Sequence, residues 1–187
     1  MPRQIDEEKL FDAVIEALVA GGYGQATTKM IAEKAGVNEV TLFRKYGSKA
    51  GLVRAALGHI LETSALHDVR YSGELQQDLE EIVGAYLETN ARYGDVIPTI
   101  ISEMPRYPEL REMMTPFLEV IGQIADVLAR YQQEGCLKGE EGLASVSALL
   151  GPIIVGRMIE KNMPDVDMGA FEVREYVERY LGGRAAE

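Results

Sequence analysis

GGYGQATTKMIAEKAGVNEVTLFRKYGSKAGL, Gly21 to Leu52, decides the fold, because it reads as two short helices around a tight turn. Gly21, Gly22 and Gly24 predict the stop of a preceding helix, and Thr27 or Thr28 then offers a hydroxyl N-cap for a helix running to Ala35. Gly36 follows where a left-handed C-cap would permit a sharp turn. Asn38 caps a second helix, in which Val40, Leu42, Phe43 and Tyr46 are apolar at helical spacing while Glu39, Thr41, Arg44 and Lys45 are polar. Ile31, Ala32 and Ala35 give the first of these helices a narrow face, so the pair can cross closely, as a helix-turn-helix requires. Ser48 caps a third segment with Lys49 in its first turn and Leu52, Val53, Leu57 and Ile60 as its apolar stripe.

A lysine at a helix N-terminus opposes the macrodipole, and a phosphate would satisfy both the cation and the terminal amides. For Lys49 alone, solvated surface is the better reading. Thr27, Thr28, Lys29, Asn38, Thr41, Arg44 and Lys45 in the same window weigh against that for the group.

Gly22-Tyr23, Thr27-Thr28, Ile31-Ala32, Ala35-Gly36-Val37, Thr41-Leu42 and Ser48-Lys49, in this order near the N-terminus, resemble the DNA-binding region of the TetR family of bacterial transcriptional regulators. The match covers about a quarter of the chain. Asn38 stands where Ser or Thr is usual and keeps the capping chemistry. Phe43 replaces a tyrosine and so lacks a phenolic hydroxyl, Lys45 takes a place often held by histidine, and Tyr46-Gly47 implies a loose helix exit. The resemblance implies a helix from Asn38 to Tyr46 in the major groove, with Glu39, Val40 and Arg44 nearest base edges and Thr28, Thr41, Lys45 and Lys49 near phosphates. Thr27, Lys29, Asn38 and Phe43 complete the expected DNA-contacting set.

The chain has 187 residues and a net charge of −11, which at first opposes DNA binding. Up to Ile60 there are eight Lys/Arg against seven Asp/Glu, and beyond it eleven against twenty-three. Between Gly21 and Ile60 six cations face two acids, a local basic footprint on an acidic body that would discourage indiscriminate DNA coating. No apolar run of transmembrane length is expected, and the start, MPRQIDEEKL, is too polar for a secretory signal. The single Cys136 rules out an internal disulfide and fits a reducing cytoplasm; it is read as a partly buried, inert thiol ahead of a redox sensor.

The rest reads as helical. Leu10, Phe11, Val14, Ile15 and Leu18 share a face of the first helix, and a polar linker at Arg70 to Gly73 precedes a stripe of Leu75, Leu79, Ile82, Val83, Tyr86 and Leu87. After Gly94, Val96 to Met104 is short and apolar; a long helix with Pro108 early in it and Gly135 closing it then carries Met113, Met114, Phe117, Ile121, Ile124, Leu128 and Tyr131. No strand alternation or internal repeat appears. The expected class is all-α, about nine helices, with a three-helix DNA-binding head at 1–60 and a larger effector-binding and dimerisation body at 61–187.

The stretch from Leu143 to Met158 is apolar almost all round and needs cover on both sides. Together with the last helix it is expected, by resemblance, to pack on a two-fold mate through Val146, Leu150, Ile153, Ile154, Val173, Tyr176, Val177 and Tyr180. Burial within one protomer is the competing reading. A homodimer would place two heads to engage a palindromic operator. The resemblance also implies a small-molecule effector cavity, for which Tyr86, Tyr93, Ile97, Ile101, Met104, Met113, Met114, Phe117 and Met158 would be an adaptable apolar lining; plain core is the competing reading. Glu103 is either a group that orients a ligand's cation or donor, or a surface glutamate. His67 sits near the head-body junction and carries little information alone.

Catalysis finds no footing: His59 and His67 lack a matched ligand set for a metal, Asp165 and Asp167 are a weak acidic pair, and no glycine run has nucleotide-loop spacing. The reading is a cytoplasmic, ligand-responsive regulator without cofactor, metal or membrane, most simply a repressor. The alternative is a helical small-molecule binding protein with a degenerate DNA-binding head, kept open by Phe43, Gly47 and the overall acidity.

Overall fold

The structure, a computed structural model, describes residues 5–94, 96–166 and 169–184. The first four residues of the polar start and Asp167 of the acidic pair lie outside the described residues. Ten α-helices and a short 3-10 turn, and no strand, occur among the described residues.

Helix α1 (Glu7–Gln25) begins at Asp6, whose carboxylate accepts the Lys9 N–H at 3.1 Å, with Glu7 and Glu8 in the first turn where the dipole favours them. The helix breaks within the glycine run, as expected. The break is at Gly22 (φ 70°, ψ 175°), and one further helical turn, which the sequence reading did not include, runs on to Gln25. Helix α2 (Thr28–Ala35) is capped by Thr27, whose hydroxyl accepts the Met30 N–H at 3.2 Å. Gly36 (φ 71°, ψ 32°) turns the chain, and the Val37 N–H returns to the Ala32 carbonyl at 2.9 Å. Helix α3 (Glu39–Tyr46) is capped by Asn38, which accepts from Val40 N–H at 2.8 Å, and helix α4 (Lys49–Glu62) by Ser48, which accepts from Gly51 N–H at 3.0 Å.

A 3-10 turn (Ala65–Asp68) precedes α5 (Leu75–Tyr93) and α6 (Val96–Glu103). The expected long helix is two: α7 (Leu110–Met113) and α8 (Thr115–Gln133). Pro116 explains the break, since it has no N–H and suits the first turn of a new helix better than the interior of an old one. Helices α9 (Gly142–Asn162) and α10 (Val173–Arg184) complete the order. The total exceeds the expected nine because that break adds α7.

The chain forms two compact units. The first runs to Ser64 and also takes in Thr89–Leu118; the second joins Ala65–Glu88 to the chain from Glu119 onward. In the first unit one core joins Leu10, Val14 and Leu18 of α1 to Ile31 of α2, Leu42 of α3, Leu52 and Val53 of α4, Ile100 of α6 and Leu110 of α7, each fully or almost fully buried. Burying a leucine of this kind stabilises by roughly 1.5–3 kcal/mol. In the second unit Asp78 is buried, with its carboxylate accepting from the Ser72 N–H (2.8 Å), the Ser72 hydroxyl (2.5 Å) and the Tyr131 hydroxyl (2.5 Å). Three donors satisfy a carboxylate that would otherwise be costly to bury, and they tie the 70–73 linker to α5 and α8. Burial, and then the bond to Asp78, pushes the Tyr131 hydroxyl above its ordinary titration range.

Candidate nucleic-acid interface

Helices α2 and α3 cross on small or buried side chains: Ile31, Ala32 and Ala35 from one, Leu42 from the other. A side-chain bond closes the crossing, as the Thr28 hydroxyl donates to Glu39 Oε1 at 2.6 Å. Two residues expected at different parts of the DNA are thus joined to each other, a phosphate candidate to a base candidate. Thr27 and Asn38 act as caps for α2 and α3.

The outer face of α3 is open. Val40 is 73% exposed and Phe43 47%, unusual for large apolar groups on an eight-residue helix, and Arg44 and Lys45 are exposed beside them while Thr41 is half-buried. Lys29 on α2 is exposed as well. Met30, on the same exposed turn, is an additional candidate that the reading of the sequence left out; its signal was an apolar residue on the polar face of α2.

Lys45 reaches back to α1, with its ammonium 2.5 Å from Glu7 Oε1, and the Tyr46 hydroxyl donates to the same oxygen at 3.1 Å. These two bonds, led by Lys45, hold the Glu7 carboxyl below its ordinary pKa of 4.5. Burial, and then Glu7, raises the Tyr46 hydroxyl. The Tyr46 ring meets Phe11 edge-on, with centroids 6.0 Å apart. The exit of α3 is therefore anchored, contrary to the loose exit expected from Tyr46-Gly47; Gly47 (φ 76°) bends the chain while the Tyr46 side chain is held on α1. Glu7 is a residue that spacing along the chain could not have connected to Lys45.

Lys49 does not point outward. Its ammonium donates to the Tyr23 backbone carbonyl and lies 3.9 Å from the centroid of the Tyr23 ring. Burial pushes its pKa down, against a smaller upward pull from Glu103 and Glu109.

Of the lining candidates, Tyr93, Ile97, Met104, Met113, Met114 and Phe117 share the core of the first unit, with both Met113 and Met114 buried. Ile101 is exposed. Tyr86, half-buried, and Met158, exposed, belong to the second unit. Among the interface candidates, Val146, Leu150, Ile153, Val177 and Tyr180 are buried within the protomer, and Val173 and Tyr176 are half-buried. The Tyr176 hydroxyl donates to the Leu149 carbonyl at 2.5 Å, pinning α10 to α9. Ile154 remains exposed, together with Leu143, Val155 and Met158, so the apolar surface that α9 leaves open lies one step round from most of the expected set. Contrary to expectation, α9 is long and apolar enough to cross a membrane, with a mean hydropathy of 1.7. Arg157, Glu160 and Lys161 enter its last turns, and Ser145 is buried facing Gln132 of α8 at 3.1 Å. Cys136 is exposed, not partly buried. No metal-holding group of His, Cys, Asp and Glu occurs among the described residues.

A capped helix pair with an open second helix, at the head of an all-helical chain, defines a helix-turn-helix DNA-binding regulator. Residues 10–56 match the family model described as bacterial regulatory proteins, tetR family. The chain is 32% identical over 134 residues to the uncharacterized HTH-type transcriptional regulator YvkB of Bacillus subtilis, covering 62% of this chain and 67% of that one. It is 22% identical over 157 residues to an uncharacterized HTH-type transcriptional regulator of Mycobacterium tuberculosis, covering 84% and 76%. Its fold is shared with a TetR family transcription regulator of Marinobacter aquaeolei (TM-score 0.72, 13% identity, 97% and 96% covered). The fatty acid degradation regulator FadR of Bacillus halodurans is also similar in fold (TM-score 0.67, 15% identity, 94% and 95% covered). The chain belongs to the TetR family and is a transcriptional regulator of that type.

Proposed function

We propose that the protein is a homodimeric repressor that holds a palindromic operator through α3 of each copy and releases it on binding a small apolar or amphipathic effector. In this reading residues 1–60 are the DNA-binding domain, and residues 61–187 bind effector and the second copy. The observation that carries the reading is the open face of α3, where Val40, Phe43 and Arg44 stand exposed on a helix fixed by Asn38 and by the Thr28–Glu39 bond. Glu39, Val40 and Arg44 face base edges, while Thr28, Thr41 and Lys45 lie near the backbone, with Thr27, Lys29 and Phe43 around them. The Thr28 hydroxyl occupies Oε1 of Glu39 and holds the carboxylate in place, leaving it acceptor capacity for a cytosine amine, and Lys45 reaches a phosphate by turning from Glu7. For the second copy, the support is α9, whose exposed Leu143, Ile154, Val155 and Met158 continue the apolar run beyond what the protomer covers. The effector class rests on the apolar Tyr93, Ile97, Met104 and Phe117, partly buried against the first unit's core.

The test is selection from a random duplex DNA pool at near-physiological salt, followed by sizing of the bound complex. The expected result is an enriched palindrome bound by an even number of subunits, with fatty acids among the first effectors tried, the chemistry named for the Bacillus halodurans neighbour. A folded dimer that enriches no sequence, at lower salt as well, would instead be a ligand-binding protein with a degenerate head.

A further inference from the structure

Gly22 breaks α1 and takes the Tyr23 N–H out of the helical ladder. That N–H donates to Glu103 Oε2 at the C-terminal end of α6, so a side chain eighty positions away replaces the missing helical acceptor. The fit is close at two places: a Cβ on Gly22 would lie 2.5 Å from Glu103 Oε1, and one on Gly24 would press on the Tyr107 hydroxyl, so either would make the facing side chain shift. The Tyr107 ring meets Tyr23 edge-on at 5.3 Å. From the other side, Lys49 donates to the Tyr23 carbonyl and covers the Tyr23 ring. Tyr23 is thus gripped at its N–H by α6, at its carbonyl by α4 and at its ring by both Lys49 and Tyr107. An ammonium in the first turn of α4 sits against that helix's dipole. The Tyr23 carbonyl and π-face, with Glu103 and Glu109 nearby, supply the negative potential that a phosphate would otherwise provide.

We infer that Lys49 and Glu103 are positioning residues for DNA binding, which act through Tyr23 to hold α4, and with it the recognition helix α3, against α1 and α6. Lys49 is then no phosphate contact. The inference rests on the DNA-binding reading of the head.

Operator affinity of the full-length protein is measured across a salt series for wild type, Lys49→Met, Glu103→Met and the double variant, on the duplex enriched from the random pool. Each single variant is expected to bind about tenfold more weakly, and the double variant no more weakly than either, because both substitutions release the same residue. The slope of log affinity on log salt stays that of wild type, since no phosphate contact is removed. The sign at Glu103 is decisive: removing an acid from a DNA-binding head strengthens binding if charge alone matters, so weakening at a temperature where the variant is fully folded is a readout that neither charge nor stability produces. This holds even if Lys49→Met fails to fold. A slope shallower by about one unit for Lys49→Met would return Lys49 to the phosphate contacts and overturn the inference; so would unchanged or tighter binding by Glu103→Met, or additive losses. Wild type that binds no duplex would sink the DNA-binding reading itself, a result distinct from wild type that binds and variants that match it.

Discussion

At the scale of single residues, several cations of the head are engaged within the protein. Lys45 pairs with Glu7, Lys34 with Glu16, and Lys49 with the Tyr23 carbonyl. The first two pairs are largely exposed and each contributes little to stability; for Lys45, Glu7 would compete with the phosphate proposed for it. Glu7→Gln removes a competitor for Lys45 and one negative charge, so operator affinity is expected to rise by about threefold at low salt, with the gain shrinking as salt screens it. Equal affinity across the salt series would take Lys45 off the backbone. Because the folded-state pKa of Glu7 is lowered, the bond's contribution is present above the ordinary value of 4.5 and is lost as pH falls through the lowered one. An NMR titration of Glu7 should therefore show a midpoint below 4.5 that moves up in Lys45→Ala. Glu7 and Lys45 are thirty-eight positions apart, and no local pattern links them. That is why reading the sequence found the cation and missed its partner.

At the scale of elements, the caps were legible because each is a bond between neighbours: Thr27 to Met30, Asn38 to Val40, Ser48 to Gly51. The glycine run announced the break that falls at Gly22, whereas the extra turn to Gln25 and the Tyr23 N–H bond to Glu103, eighty positions away, had no local signal. Gly36 offers a clean test of the turn. It holds φ 71°, and a Cβ there would meet nothing nearer than Lys9 Nζ at 4.0 Å, so space is not the issue and conformation is. Gly36→Ala is expected to destabilise by about 1 kcal/mol in urea unfolding, and Gly36→Asn by clearly less, because asparagine tolerates the left-handed region. Equal losses for the two would mean that the turn is not what the substitution strains.

At the scale of the molecule, the all-α class followed from periodicity, whereas the surface that α9 leaves open did not. An apolar helix predicts that both sides need cover, but which residues face the protomer depends on how α10 lies across it, and Tyr176 bonded to Leu149 fixes that in three dimensions. Val155, 55% exposed, tests the proposed pairing without touching the core. Val155→Glu should leave the helical circular-dichroism signal of the protomer unchanged while shifting sedimentation toward the monomer, with the dimer weakened by at least tenfold. An unshifted dimer would place the second copy on another surface.

The first unit's discontinuity in sequence bears on how the protein is made. A chain emerging from the ribosome presents α1 to α4 early, yet Val96, Ile100, Leu110 and Met113 of their shared core are synthesised only later. Until then α1 lacks the cover of α6, and α4 that of α7, so the nascent head waits for a segment encoded some forty codons downstream of α4. A gene fragment cut after residue 60 would keep α2 and α3 whole and lose Val96, Ile100, Leu110 and Met113 from the core they share with α1 and α4, so the N-terminal helices depend for their packing on a stretch of gene that encodes none of them.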